Sequence, residues 1–403
     1  MTQRRVAIVG PVFPYRSGVA YCTTRLAEEL GADVISFSRQ YPTRFYPGGA
    51  SDVDASLPRA KAAFILDLVN PLTWIRAGWR LRKYDHVIFV LYIWVWVLPT
   101  RVMMALLDWD TRVILQCHNV GDKEPAWWKR AMTNLVLRRA DALVAHARHE
   151  AEEAWKRSGG KRVIKTFLPV HELGGAIPSR EEARQKLGIE AKHVALFFGH
   201  MRPFKGLDIA LEAWRELHAD VLLLAAGEAW WNLADEYRAL AKAGGLRTRV
   251  ILSPAEGEGP VTSGAAQPGD GSFGVYAPQD DTAARAGVRL EFRYIPDDEI
   301  ATYFAACDVV IAPYRTEAQS GVALTAFHFA RPVIATRVGG LPEIIDDTNG
   351  MLIEPESPHD LARAVDEFFT TRDRASMERR AAESARRYSW SEYAKVFERL
   401  VDR

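Results

Sequence analysis

Cysteine is scarce: only Cys22, Cys117 and Cys307 occur in 403 residues, scattered singly and odd in number. That pattern gives neither a disulfide framework nor a clustered metal site, and it points to a reducing compartment. Net charge is nearly absent, at +1 from 52 Lys+Arg against 51 Asp+Glu, which argues against a dedicated nucleic-acid binder. No apolar run reaches the ~20 residues that a membrane span needs. The longest, Val87 to Leu98, stops at Pro99 and reads as a central buried strand with its exit loop, Trp94 and Trp96 packing in the core or else facing a membrane or lipid. The basic start is followed by only five residues, Val6 to Gly10, before Pro11. They are too few for a secretory signal and read as the first strand. A dinucleotide fingerprint is also missing, since Gly10 is followed by Pro11 and the next glycine is Gly18, so a nicotinamide cofactor is not indicated.

What is present is length, alternation and an uneven spread of charge. A chain this long exceeds one hydrophobic core and predicts two domains. Residues 1–173 hold 25 Lys+Arg against 16 Asp+Glu, a surplus of +9, while the remainder carries −8. A basic first half suits an anionic surface or a phosphorylated acceptor, or else reflects chance and solvated faces. Apolar strands alternate with helical segments throughout, which predicts α/β architecture with doubly wound parallel sheets. We divide the chain at 1–173, 174–386 and 387–403, the last being a helix returning to the first domain. The Gly, Pro, Ser and Ala-rich tract at about 253–287 reads as a flexible insertion.

Candidate chemistry collects at the predicted carboxyl ends of strands, where open α/β sheets bind ligands. In the first half, Gly18 opens a helix after the first strand, and the strand ending at Cys117 delivers His118, a base or hydrogen-bond candidate or a satisfied structural group. In the second half, Val194 to Phe198 leads into GHMRPFKGLD, setting Arg202 and Lys205 beside Gly206. Forked Arg donors and a compact Lys charge suit a diphosphate, although two solvated cations would show the same spacing. A further strand ends at Gly227-Glu228. The stretch from Asp308 to Glu343 reads as strand, loop and helix, Ser320 and Gly321 standing where free helix amides can hold a phosphate. Pro332 stops that helix, Val333 to Thr336 is the next strand, and Pro342 and Glu343 open another helix. Asp52 and Asp54, like Asp108 and Asp110, have the D-x-D spacing of some metal sites but read as surface or capping residues.

Taken together and in order, the Gly18 loop, FFGHMRPFKGLDIALEAW, Gly227-Glu228, Gln319-Ser320-Gly321 and the terminal SW helix make the chain resemble the retaining glycosyltransferases of family 4. It is similar in particular to a subgroup carrying QSG. The resemblance covers nearly the whole chain. It implies the GT-B fold, two Rossmann-like domains facing across a cleft, with a nucleotide-sugar donor bound mainly by the second domain. It further implies that Arg202 and Lys205 bind the diphosphate, that Glu317 contacts the donor sugar, and that His118 lies near that sugar. Gly18, Gly227, Glu228, Tyr294, Ser320, Gly321 and Thr325 would complete the donor site. Thr325 departs from the family's glutamate at its position; a threonine hydroxyl cannot supply a charged acceptor for two ribose hydroxyls.

The activity so implied is retaining transfer of a sugar from a nucleoside diphosphate to a hydroxyl acceptor, with no cofactor and no metal. The acceptor would include a lipid-linked glycan in the synthesis of bacterial-type cell-surface polysaccharide or glycolipid. Nucleic acid is not an expected partner. The expected location is cytoplasmic, at the inner membrane face, with peripheral membrane contact through the basic first domain. Two alternatives differ in chemistry: a sugar-nucleotide epimerase of the same shape, and a weakly catalytic sugar-nucleotide-binding scaffold.

Overall fold

The computed structural model describes residues 4–41, 53–54, 57–120, 126–172, 176–229, 233–252, 287–316 and 319–402, apart from the side chains at 247 and 249–252. The expected insertion (except Gly287), the expected boundary at 173–174 and Glu317 lie outside the described residues. The chain divides into two compact units. One comprises Met1–Pro169, Ala318–Gly321 and Arg387–Arg403; the other comprises Val170–Glu317 and Val322–Arg386.

The first unit is built on seven parallel strands: β1 (Val6–Val9), β2 (Asp33–Arg39), β3 (Ala63–Asp67), β4 (His86–Leu91), β5 (Arg112–Cys117), β6 (Ala142–Ala145) and β7 (Arg162–Lys165). Their order is β3-β2-β1-β4-β5-β6-β7. The crossovers are α1 (Gly18–Leu30), α2 (Pro71–Leu81), α3 (Val97–Ala105), α4 (Trp127–Arg139) and α5 (Arg148–Ser158). Local chemistry sets their ends. Ser17 Oγ accepts from Ala20 N to start α1, and Gly31 closes it in the left-handed conformation; Asn70 caps α2 with Pro71 in its first turn.

The second unit repeats the plan with β8 (His193–Phe198), β9 (Val221–Ala226), β10 (Arg247–Leu252), β11 (Gly287–Phe292), β12 (Val309–Ala312), β13 (Val333–Thr336) and β14 (Gly350–Ile353), ordered β10-β11-β9-β8-β12-β13-β14. Around them lie α6 (Arg180–Leu187), α7 (Leu207–Ala213), α8 (Leu233–Ala243), α9 (Asp297–Ala306), α10 (Gly321–His328), α11 (Pro358–Thr370) and α12 (Arg374–Arg387), after which α13 (Trp390–Val401) packs on the first unit. Buried Asp308 ties β12 to β8 by accepting from Val194 N and from Arg184, both at 2.8 Å. Such a carboxylate is tolerable inside only because its lone pairs are used.

Each face of the first sheet has its own apolar cover. Trp74, Leu81, Met103, Met104 and Val136 from α2, α3 and α4 fill one side. Leu26 of α1 and Tyr393, Phe397 and Leu400 of α13 fill the other. Burial on this scale is the main stabilising term.

Three expectations need correction. Trp96 is buried against Phe37 with ring centroids 4.1 Å apart, but Trp94 is 37% exposed and does not join the core. Pro342 and Glu343 open no helix: they lie in a single 3-10 turn, Leu341–Glu343. The chain then turns on Asp346, whose carboxylate accepts from the Thr348 backbone and hydroxyl, and on buried Asn349, whose amide donates to Ile344 O and Ser384 Oγ. Side chains that bond the local backbone in this way compete with helix propagation. Finally, Ala318–Gly321 groups with the first unit although it follows a strand of the second, and within that unit the Gln319 side chain accepts a hydrogen bond from Leu168 N.

Candidate functional site

In the second unit the order of strands reverses at β8, which has β9 on one side and β12 on the other. Such a switch point opens a crevice at the carboxyl ends of the strands. Three strand exits are laced together there. Gly199 N donates to Ala226 O at 3.0 Å, Met201 N to Glu228 O at 2.9 Å, and Gly227 N to Glu291 O at 3.0 Å. Gly227 has φ +148°, and a Cβ there would stand 2.0 Å from the Gly199 carbonyl oxygen. No side chain fits.

The next turn carries both candidate cations. Pro203–Lys205 forms a 3-10 turn ending at Gly206, which has φ +72° and would place a Cβ 2.1 Å from Pro313 O. The turn is therefore pressed against the exit of β12. Arg315 holds it there: its backbone N–H donates to Phe204 O at 2.8 Å, and its guanidinium donates to Pro203 O at 2.6 Å and to both Asp208 carboxylate oxygens at 2.9 and 2.7 Å. A further bond reaches Glu356 at 2.7 Å. The Asp208 bond is the main reason that the Arg315 pKa is raised still further. Lys205 Nζ lies 3.8 Å above the ring of buried Tyr314, and the Arg202 guanidinium carbon lies 5.9 Å from that of Phe204. A cation–π seat of this kind fixes a lysine without neutralising it. Glu228 follows Gly227 with its carboxylate 3.6 Å from His200 Nδ1, and Tyr294 follows β11 at the same edge.

Thr325 is buried on α10, whose first residue is Gly321; Ser320 just before it is also buried. In the first unit, a Cβ on Gly18 would meet nothing within 4 Å, so packing does not require a glycine there. His118 follows β5, donates its backbone N–H to Leu91 O at 2.8 Å, and packs its ring 4.7 Å from that of His146. His146 bonds the Cys117 backbone through one nitrogen and the Tyr393 hydroxyl through Nε2 at 2.8 Å. Because the same hydroxyl accepts from Gln116 Nε2 at 2.7 Å, its proton is directed to His146, which fixes the Nδ1–H tautomer. Burial, and then the neighbouring His146, push the His118 pKa well down; burial lowers that of His146 to about 4.

The sequence-predicted residues therefore fall in two sets. Arg202, Lys205, Gly227, Glu228, Tyr294 and Thr325 belong to the second unit, while Gly18, His118, Ser320 and Gly321 belong to the first. Sequence reasoning passed over Tyr314 and Arg315, although their place just beyond a buried strand was a usable signal. It also missed Tyr393, which nothing in the local sequence connects to His118.

Removing the Tyr393 hydroxyl strips a bond from Gln116 and one from His146, so Tyr393→Phe is expected to destabilise the first unit by about 1–3 kcal/mol in thermal unfolding. The pH dependence has a definite sign. His146 stays neutral when folded, whereas the unfolded chain takes up the proton, so its contribution erodes as pH falls from about 6.5 towards about 4. The slope is up to ~1.4 kcal/mol per pH unit, measurable by unfolding across that range.

Two parallel-sheet α/β units of this kind define the GT-B class of folds. Solved GT-B structures superpose on the chain over nearly its full length: Anabaena HepE in complex with UDP-glucose has a TM-score of 0.71 at 16% identity, covering 98% of this chain and 99% of that one. WaaG, a glycosyltransferase involved in lipopolysaccharide biosynthesis, gives 0.61 at 18% identity, covering 98% of each. In sequence, residues 274–371 match the family described as glycosyl transferases group 1. The D-inositol 3-phosphate glycosyltransferase of Saccharomonospora viridis is 30% identical over 263 residues, 63% of this chain and 54% of that protein. The protein of the same name from Xylanimonas cellulosilytica is 25% identical over 361 residues, 84% of this chain and 75% of its own. By sequence and by fold the chain is thus similar to group 1 glycosyltransferases, and it spans about half the length of most of the relatives it matches.

Proposed function

We propose that the chain is a retaining glycosyltransferase that moves a sugar from a nucleoside diphosphate to a hydroxyl acceptor. The observation that carries this reading is the anchored cationic turn, Arg202 to Gly206, at the switch point of the second sheet. A diphosphate leaving group gains negative charge as the glycosidic bond breaks, and pre-placed cations stabilise that charge most where they need not reorganise. The acceptor hydroxyl attacks the anomeric carbon on the face that the diphosphate leaves. Its proton passes to a departing phosphate oxygen, so no paired nucleophile and acid are needed. No metal is required in this scheme. Glu317 would contact the donor sugar, with His118 near it and Ser320 and Gly321 offering amides to phosphate. The open space above Gly18 supports the approach of a ligand.

The proposed setting is the synthesis of cell-surface polysaccharide or glycolipid on a lipid-linked acceptor, at the cytoplasmic face of a membrane. Buried Thr325, in place of a carboxylate, favours one second reading, a protein that binds sugar nucleotides with weak turnover. A panel of UDP, GDP, ADP and dTDP sugars separates the two. Under transfer, one donor raises the melting temperature and is consumed when a hydroxyl acceptor is added, equally well in chelator. Binding without consumption by any acceptor supports the second reading, and stabilisation by none of the donors overturns both.

A further inference from the structure

Large apolar side chains exposed to solvent are unevenly placed among the described residues: twelve of the thirteen lie between Val53 and Trp155, in the first unit, and only Ile177 lies in the second. Scattered singly they would need no explanation, but here they concentrate on adjacent helices. The outer face of α2 carries Leu72, Ile75 and Trp79, which are 74%, 36% and 64% exposed, while Trp74, Ala77, Gly78 and Leu81 face inward. Gly78 lets α3 come close, since a Cβ there would meet Leu106 Cδ1 at 2.8 Å. Leu98 on α3 and Trp127 and Trp128 on α4 continue the exposed apolar set. Trp128 meets Trp94 edge to face at 5.2 Å, and the Lys129 ammonium lies 4.6 Å from the Trp94 ring centre.

The charges on these helices have one sign. Across α2, α3 and α4 there is no Asp or Glu, whereas Arg76, Arg80 and Arg101 are among the cations; Lys129 is buried, and Arg130 is paired with Glu153 of α5 at 2.9 Å. The other helices of the unit, α1, α5 and α13, all contain glutamate. Asp108, beyond α3, is held in an ion pair with Arg82 at 2.6 Å. Exposed Trp and Leu interleaved with Arg and Lys, without acids, are what a helix lying in a lipid interface requires: rings and aliphatic chains enter the headgroup boundary while cations meet phosphate.

From this complementarity we infer that the outer face of α2, extended by α3 and the start of α4, docks on an anionic phospholipid surface. The inference deepens the proposed membrane setting by naming the face, and it rests on surface chemistry alone. Docking strength follows the negative lipid content and weakens as ionic strength rises.

The test is co-sedimentation of the full chain with phosphatidylcholine vesicles, with and without phosphatidylglycerol. Binding to the anionic vesicles is expected to be at least about tenfold stronger. It should be lost in Arg76→Glu/Arg80→Glu and, separately, in Leu72→Ser/Trp79→Ser, with the melting temperature and its shift by a sugar nucleotide unchanged because the inward face of α2 is untouched. Equal sedimentation of both variants and the parent overturns the inference. So does a dimer in sedimentation velocity that the variants dissolve, which would assign the face to a second copy of the chain. Donor stabilisation without vesicle binding leaves the transferase reading standing and this one refuted; vesicle binding without donor stabilisation does the reverse.

Discussion

If the proposed transfer is right, replacing Lys205 by alanine should lower kcat/KM for sugar transfer by about 10² to 10³, with Arg202→Ala close behind, because each would remove a cation that the proposal sets against the developing diphosphate charge. Lys205 is the more telling of the two. Its ammonium is seated over Tyr314 at 3.8 Å, on a turn whose other end is locked by Arg315. Lys205→Arg keeps the charge but not the point-like geometry, and should recover only part of the rate. Single-turnover kinetics with a transferred sugar would separate loss of chemistry from loss of binding. Normal turnover by Lys205→Ala would remove the diphosphate role from this turn.

The second large effect is expected at two glycines pressed against the carbonyl oxygens of neighbouring strand exits. Gly227→Ala must force a Cβ to within 2.0 Å of Gly199 O, and Gly206→Ala to within 2.1 Å of Pro313 O, both at φ values that side chains rarely adopt. Strain and overpacking together should cost ~3 kcal/mol or more, a fall of about 6–12 °C for a unit of this size. The two differ in their consequences. Gly227→Ala disturbs the lacing of β8, β9 and β11, whereas Gly206→Ala tilts the turn bearing Lys205 and should depress activity even where the protein still folds. Thermal unfolding beside a donor-binding assay distinguishes them. By contrast, Gly18→Ala meets open space and should leave the melting temperature unchanged.

The interior strands could be read from sequence and the borders could not. β3, β7, β10 and β14 went unrecognised, and these four are the sheet edges. In β7, Arg-Val-Ile-Lys, the two ends are exposed and the middle is half-buried, so the apolar run that announces a central parallel strand is missing. Gly350 opens β14 without any side chain, and a Cβ there would stand 2.2 Å from Val333 O, a constraint that only the folded neighbour reveals. The candidate site divides in the same way. Arg202, Lys205 and Gly227 were legible because they sit next to strands in sequence. Tyr393 was not, since it is 277 residues from the Gln116 that it bonds. Nor could local composition show that Arg315 grips Asp208, a contact across two strand exits.

Because α13 joins α1 in covering one face of the first sheet, the order of synthesis and the order of completion differ. The first unit has all its strands by Pro169 yet lacks its final layer until Val401 has been made, ~230 residues later. At ordinary translation speeds that is roughly 10–45 s during which Tyr21, Leu26 and Val90 lack the cover of α13. The second unit is complete at Arg386, so the part made last finishes first. Nascent chains halted before residue 390 should therefore hold the first sheet half-open and depend on chaperones, while one released with α13 in place should not.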